Sequence, residues 1–202
     1  KGSENLINAI RIVSKYGLRS VVAINLFPDD KKEEIDLIKK ICLENNSIAI
    51  ESNGFSKGGE GMIDLAEYIA SLDEDNKDIS LLYDDQDSPI NKVETLAKEI
   101  YSAEKVSWGP MTRTTLRQFE NQGWNFPICM AKTHLSVSAN PKLRGAPKGH
   151  TIPIREARVL GGAKQIVTLA GDIITLPGLP SNPNAFDIDL NDDGEIINIL
   201  ST

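Results

Sequence analysis

Three stretches of the chain place residues with usable chemistry at the ends of apolar runs. The first is Ala23-Ile24-Asn25-Leu26-Phe27-Pro28-Asp29. An Asn at the end of a buried strand offers a donor and an acceptor to the edge of a base. Phe27, in the loop beyond it, is a face on which a flat ring could stack. The plainer alternative is a strand, a turn and an Asp N-cap, with Phe27 packing locally. The second stretch is Phe55-Ser56-Lys57-Gly58-Gly59-Glu60-Gly61, opening onto a helix. Here Lys57, Gly58, Gly59 and Gly61 could receive an anion, because glycines let backbone N–H groups approach and a helix N-terminus favours negative charge. A flexible connection is the alternative. The third is Cys129-Met130-Ala131-Lys132-Thr133, a strand running out into Lys132 and Thr133. A lysine snorkelling from a strand end is the plainer reading.

Other chemistries find less support. The phosphate-loop pattern Gly-x-x-x-x-Gly-Lys-Ser/Thr does not occur. His134 and His150 have no carboxylate or Cys at ligand spacing, so no metal site is assigned. Asp189-x-Asn191-x-Asp193-Gly194 imitates the opening of a calcium loop, but Leu200 stands where the bidentate Glu belongs. Asp193-Gly194 between Ile188 and Ile196 reads better as a hairpin turn. Cys42 and Cys129 form no disulfide framework and are expected to be buried, reduced thiols.

The elements that must position these groups follow from hydrophobic period. Leu6, Ile7, Ile10 and Val13 give a helix over Asn5–Tyr16, closed by Gly17. Val21–Ile24 is a short buried strand. Asp30 and Glu33 suggest a capping box before a helix carrying Ile35, Leu37, Ile38, Ile41 and Cys42. Ser47–Glu51 is a second strand, and Met62, Ile63, Leu65, Ala66 and Ile69 mark the next helix. Ile79–Tyr83 reads as a third strand, and Ser88-Pro89 as the cap and first residue of another helix. This β-α order predicts an α/β fold: a partial doubly wound, mostly parallel sheet, with ligands beyond the strands' carboxyl ends. After about Val106 the texture changes. A helix over Pro110–Asn121 closed by Gly123 precedes short strands at Phe126–Ala131, Gln165–Leu169, Ile173–Leu176 and Glu195–Leu200. The expected division is residues 1–108, the α/β part, and 109–202, a smaller α+β C-terminal domain.

A net charge of −7 argues against nucleic acid as a partner. No apolar run reaches the roughly 20 residues that span a bilayer, and no signal peptide is visible. The expected location is cytoplasmic by default, with an upstream organellar address left open.

Taken in order, the segments resemble the formate–tetrahydrofolate ligase family. The stretches that carry the resemblance are Gly17–Asp29 (GLRSVVAINLFPD), Lys57–Ala66 (KGGEGMIDLA), Leu82–Ile90, Lys98–Val106, Phe126–Ser138 (FPICMAKTHLSVS), Ile154–Arg158 and Ile174–Pro180 (ITLPGLP). They cover nearly the whole chain and resemble the family's C-terminal portion. The departures are Leu26, where a basic residue is frequent, Met62, where Gly is frequent, and Gln165, where a bulky apolar residue is common.

The resemblance implies an ATP-driven ligase that joins formate to N10 of tetrahydrofolate through formyl phosphate. It implies a P-loop-NTPase-like α/β remainder, with tetrahydrofolate, formate and the ATP–Mg complex as ligands and a homo-oligomer in the intact enzyme. By the same resemblance Phe27, Pro28 and Phe55 bind folate, the pterin lying between the two aromatics, with Phe55 where relatives usually carry Trp. Asn25 and Asp29 fall at nucleotide-binding positions. The phosphate loop and the formyl-phosphate residues lie upstream in such enzymes, so no catalytic residue is assigned here and these residues alone are expected to be inactive. The alternative is a truncated, non-catalytic relative acting as a folate-binding or assembly module.

Overall fold

Helix, strand and helix follow from the spacing of apolar residues in the first half of the chain. The computed structural model describes residues 2–72, 79–132, 136–171 and 181–198. Helix α1 (Ser3–Lys15) ends at Gly17, whose φ of 74° is the left-handed stop expected there. Strand β1 (Val21–Asn25), helix α2 (Lys32–Glu44) and strand β2 (Ile48–Ser52) follow. The two strands run parallel, in register from Val21 opposite Ile48 to Asn25 opposite Ser52. Asp30 does not cap α2. Lys31 occupies the N-cap without a side-chain bond, and Asp30 Oδ2 instead accepts the backbone N–H of Phe27 at 2.8 Å. The carboxylate finds that donor three residues back and closes a turn, because Asp30 N also donates to Phe27 O at 3.1 Å.

Beyond β2 come the one-turn helix α3 (Gly54–Lys57), a 3-10 turn (Gly58–Met62) and helix α4 (Ile63–Ser71). The expected third strand at Ile79–Tyr83 is absent. Ser80 N bonds to Tyr16 O at the end of α1 rather than to a ladder, and Ile79 and Leu81 are exposed. The run is a connection anchored by its last residue. Tyr83 Oη accepts from Ile128 N, and the Lys92 ammonium stands 5.4 Å from the Tyr83 ring. Helix α5 (Pro89–Glu99) starts as its sequence demands, with Ser88 Oγ accepting from Asn91 N at 3.2 Å.

The main core lies against a second sheet. Strand β3 (Ala103–Trp108), helix α6 (Thr112–Asn121) and strands β4 (Ile128–Lys132), β5 (His150–Leu160) and β6 (Gln165–Ala170) assemble in the spatial order β3-β5-β6-β4. β3–β5 and β4–β6 are parallel, and β5–β6 is antiparallel. Helices α5 and α6 pack on this sheet. Val93, Ala97, Leu116, Ile152, Ile154, Ile166 and Ala170 fill the space between them. The architecture is therefore mixed α/β with mainly parallel pairing. The first half contributes the two-stranded β1–β2 sheet and the edge strand β3 rather than one three-stranded sheet.

Strands β3 and β5 are not among the elements that the sequence predicts. Residues after Gly194 do turn back as expected: β7 (Asp189–Leu190) pairs antiparallel with β8 (Ile196–Ile197). Asn191 Oδ1 accepts from Asp193 N and Glu195 N, so the turn itself occupies the side chain of the calcium-loop mimic. Cys42 is buried as expected, and burial pushes its thiol pKa up. Cys129 is exposed, because β4 is an edge strand with a partner on one side only. The expected strand at Ile173–Leu176 lies outside the described residues, as do Thr133 and His134. Among the described residues, no helix is long and apolar enough to cross a membrane.

Lys92 is fully buried, and its Nζ donates to Asp85 O and Asn125 O, each at 2.7 Å. It ties the loop before α5 to the loop before β4. Lys92→Met keeps the stem but leaves two carbonyls without donors, so urea unfolding should show a loss of about 1–3 kcal/mol.

Candidate functional site: an aromatic crevice beyond two parallel strands

The β1–β2 register ends both strands on one row, and the pairing continues one step further with Leu26 N donating to Ser52 O at 2.9 Å. The two loops therefore leave the sheet side by side. Phe27 is held by the reciprocal bonds with Asp30, and Pro28 after it biases it toward an extended backbone. Phe55 sits on the single turn of α3.

The base of the second loop is clipped. Asn53 N donates to Gly61 O at 2.9 Å, and Lys57 N donates to Asn53 O at 2.9 Å. A Cβ on Gly61 would stand 2.2 Å from Asn53 O, so only glycine permits this approach. Gly58, with φ 57° and ψ −138°, makes the reversal between the helical turn and the 3-10 turn. Gly59 has open space around it. The result brings the Phe27 and Phe55 rings to 5.4 Å between centroids at an interplanar angle of 45°. They are 53% and 77% exposed, which is unusual for two phenyl groups unless something else is to cover them.

The sequence-derived site residues separate into two groups. Asn25, Phe27, Pro28, Asp29, Phe55, Lys57, Gly58, Gly59 and Gly61 belong to these adjacent loops, Asn25 being the last residue of β1 and Asp29 exposed in the turn. Lys132 is elsewhere. It ends β4 on a row that crosses the second sheet as Trp108, Ile154, Ala170 and Lys132. Its Nζ reaches Ser138 O at 3.5 Å, and partial burial lowers its pKa.

Sequence reasoning overlooked Asn53. Its Oδ1 is buried without a hydrogen-bond partner directly beyond β2. The available signal was that Asn53 follows its strand much as Asn25 ends its own.

The molecule is thus a mixed α/β protein whose crevice occupies the usual ligand position of parallel pairing, past the strands' carboxyl ends. Residues 1–200 match the family model described as formate–tetrahydrofolate ligase. The chain is 45% identical over 195 residues to the formate–tetrahydrofolate ligase of Roseiflexus castenholzii, a match covering 96% of this chain and 35% of that protein. It is 43% identical over 200 residues to the same-named protein of Roseiflexus sp. strain RS-1, covering 98% and 36%. For the Desulforamulus reducens protein the values are 40% over 202 residues, 99% and 36%. The chain belongs to the formate–tetrahydrofolate ligase family and spans about a third of the length of these relatives.

The clip can be tested without any ligand. Gly61→Ala should break the Asn53–Gly61 approach and cost about 1–3 kcal/mol. Hydrogen exchange at Asn53 N–H should rise in parallel, whereas Gly59→Ala, which meets open space, should change neither.

Proposed function

We infer that this chain is the folate- and nucleotide-pocket portion of an ATP-dependent ligase that joins formate to N10 of tetrahydrofolate. In this reaction formate attacks the terminal phosphorus of ATP, held as its Mg complex, to give formyl phosphate and ADP. N10 then attacks the formyl carbon, and phosphate leaves as N10 loses its proton. Residues 1–108 form the remainder of the P-loop-NTPase-like domain, and 109–202 the smaller C-terminal domain. Helix α5 and strand β3 of the first part share one core with α6 and β4–β6 of the second.

The observation that carries this reading is the meeting of Phe27 and Phe55 at 5.4 Å from two separate strand-end loops. Two convergent, exposed aromatics suit a flat heterocycle such as a pterin, and family membership supplies the candidate. Phe27, Pro28 and Phe55 bind the pterin. Asn25 and Asp29, on the same loop, offer an amide and a carboxylate to nucleotide hydroxyl or amino groups. Lys57 and the glycines beside it flank the crevice. Lys132, the last residue of β4, serves a separate stretch of the ligand surface, and Thr133, next in sequence, is assigned with it by the family resemblance. The pattern of a phosphate loop does not occur in these 202 residues. Phosphoryl transfer rests on positioned charge, so these residues alone should give no ATP-dependent 10-formyltetrahydrofolate. The acid-converted methenyl product, read by absorbance, checks this; turnover by pure protein would contradict the reading.

In the intact ligase, Phe27→Ala should raise the tetrahydrofolate KM by roughly tenfold to a few hundredfold and leave the ATP KM unchanged. Lost stacking of about 0.5–1.5 kcal/mol and lost burial of about 1–2 kcal/mol set that range. Phe55→Trp should be tolerated. An unchanged folate KM, or equal loss for both substrates with a large fall in melting temperature, would assign Phe27 to packing instead.

A further inference from the structure

The crevice as it stands has no room for a ring between its aromatics. A flat ligand in van der Waals contact with both faces needs them about 7–8 Å apart, and parallel. The Phe27 and Phe55 centroids are 5.4 Å apart and tilted by 45°. Each ring occupies the place that the ligand would take against the other. Two residues before Phe55 in the chain, Asn53 Oδ1 is enclosed with no donor, a costly arrangement for an amide group.

The two sides of the contact are not equally fixed. Phe27 belongs to a turn closed in both directions by Asp30 and joined to β2 through Leu26. Phe55 rides on a four-residue helix with no buried residue, between Asn53 and the left-handed Gly58. Its segment is bound at the base, where Asn53 and Gly61 meet, and open at the top. Behind it, the Met62 sulfur lies 2.9 Å from Ser52 Oγ and would stand 2.9 Å from a Cβ on Gly54. Met62 is thus the side chain on which the start of α3 rests.

We propose that the Phe27–Phe55 contact is the closed state of a gate. The gate is the 54–60 segment, pivoting on the Asn53–Gly61 clip and seated on Met62. Its opening uncovers Asn53 Oδ1 as an additional acceptor for the N–H groups of a flat, donor-bearing heterocycle. The identity of that heterocycle as a pterin rests on the function proposed above. The gate itself rests on the ring contact, the enclosed amide and the clip. Closed, the rings cover one another and the acceptor is unpartnered. Open, the ligand replaces the ring contact on both faces and supplies the missing donor. Binding therefore exchanges one stacking contact for two, and the population of the open state scales the apparent affinity. Met62 acts as a positioning residue, since it touches the segment and not the ligand.

Two arms test this. In the ligand-free protein, amide exchange is followed at Lys57 N–H, which bonds to Asn53 O inside the segment. Phe27→Ala should accelerate it by about 2–10-fold, Met62→Ala should do the same, and Met62→Leu should restore the original rate. Exchange that ignores Phe27→Ala overturns the gate whatever the ligand proves to be. In the intact ligase, Asn53→Ala should weaken tetrahydrofolate binding by about tenfold, with kcat and ATP KM unchanged and the melting temperature equal or higher. A merely structural amide would lower the melting temperature on removal. Unchanged folate affinity in that variant overturns the role of Asn53. If the unmodified ligase fails to bind tetrahydrofolate, the folate reading falls, and the exchange arm still decides the gate.

Discussion

The parallel register of β1 and β2 is the constraint from which the site follows. Because Asn25 and Ser52 share a row, the chain must leave both strands at the same edge and height. Two independent loops then begin as neighbours, and only their local chemistry decides whether they converge. The first converges through a carboxylate: Asp30 captures the Phe27 N–H and sets the ring's origin. The second converges through the absence of a side chain at Gly61, which lets the carbonyl of Asn53 lie where a Cβ would be. A one-residue slip in the β1–β2 ladder would turn every side chain to the opposite face and part the two rings.

Stability is distributed unevenly around that site. Helix α5 buries Pro89, Ile90, Lys92, Val93 and Ala97 against the second sheet, and β5 buries Ile152 and Ile154 completely. The crevice side has far less: α3 and α4 contain no buried residue, β1 has Ile24, and β2 has Ser52. Segments with few buried apolar contacts open at low free energy, while the core stays closed. The aromatic loops stand on this lightly packed part, where movement costs least. The four-stranded sheet and its Lys92 tie hold the rest of the fold independently.

Much of this was legible in the sequence where one residue type has one local use. Ser88-Pro89 could hardly do anything but begin a helix, and Gly17 and Gly123 stop theirs with φ of 74° each. That Phe27 and Phe55 face one crevice was implied by the family resemblance, with a ring expected between them; their direct contact was not. Strand β5 was hidden by two features of its geometry. A register shift between Ile154 and Glu156 breaks the inward alternation, so that Ile152 and Ile154 are followed by Ala157 rather than by residue 156. Pro153 also argues against a central strand. It is accommodated at the end of the β5–β6 ladder, which starts at Ile154, and Pro153 still accepts there from Gly171 N through its carbonyl. Asp30 and Ile79–Tyr83 misled for the opposite reason: their patterns were sound, but other partners claimed the groups, a local turn with Phe27 in the first case and Tyr16 O and Ile128 N in the second. Asn53 was invisible because an orphaned acceptor is a property of its enclosure, not of its residue type.

The charges around the crevice discriminate among flat ligands. In residues 25–30 and 53–62 the acidic groups are Asp29, Asp30 and Glu60, and Lys57 is the one cation. Asp30 is engaged by its own turn, which leaves Asp29 and Glu60 as the exposed carboxylates of these two loops. Carboxylates here repel a polyphosphate and accept hydrogen bonds from amino, ring N–H or hydroxyl groups. Under the proposed function, a neutral, donor-rich heterocycle would gain stacking from Phe27 and Phe55 and, with the proposed gate open, the acceptor of Asn53. A triphosphate gains from Lys57 and loses at each carboxylate. The crevice is therefore suited to the ring of a ligand rather than to its phosphates. Under the proposed reaction, the charge of phosphoryl transfer would be met by groups outside these two loops, in keeping with the lack of a phosphate-loop pattern in these 202 residues.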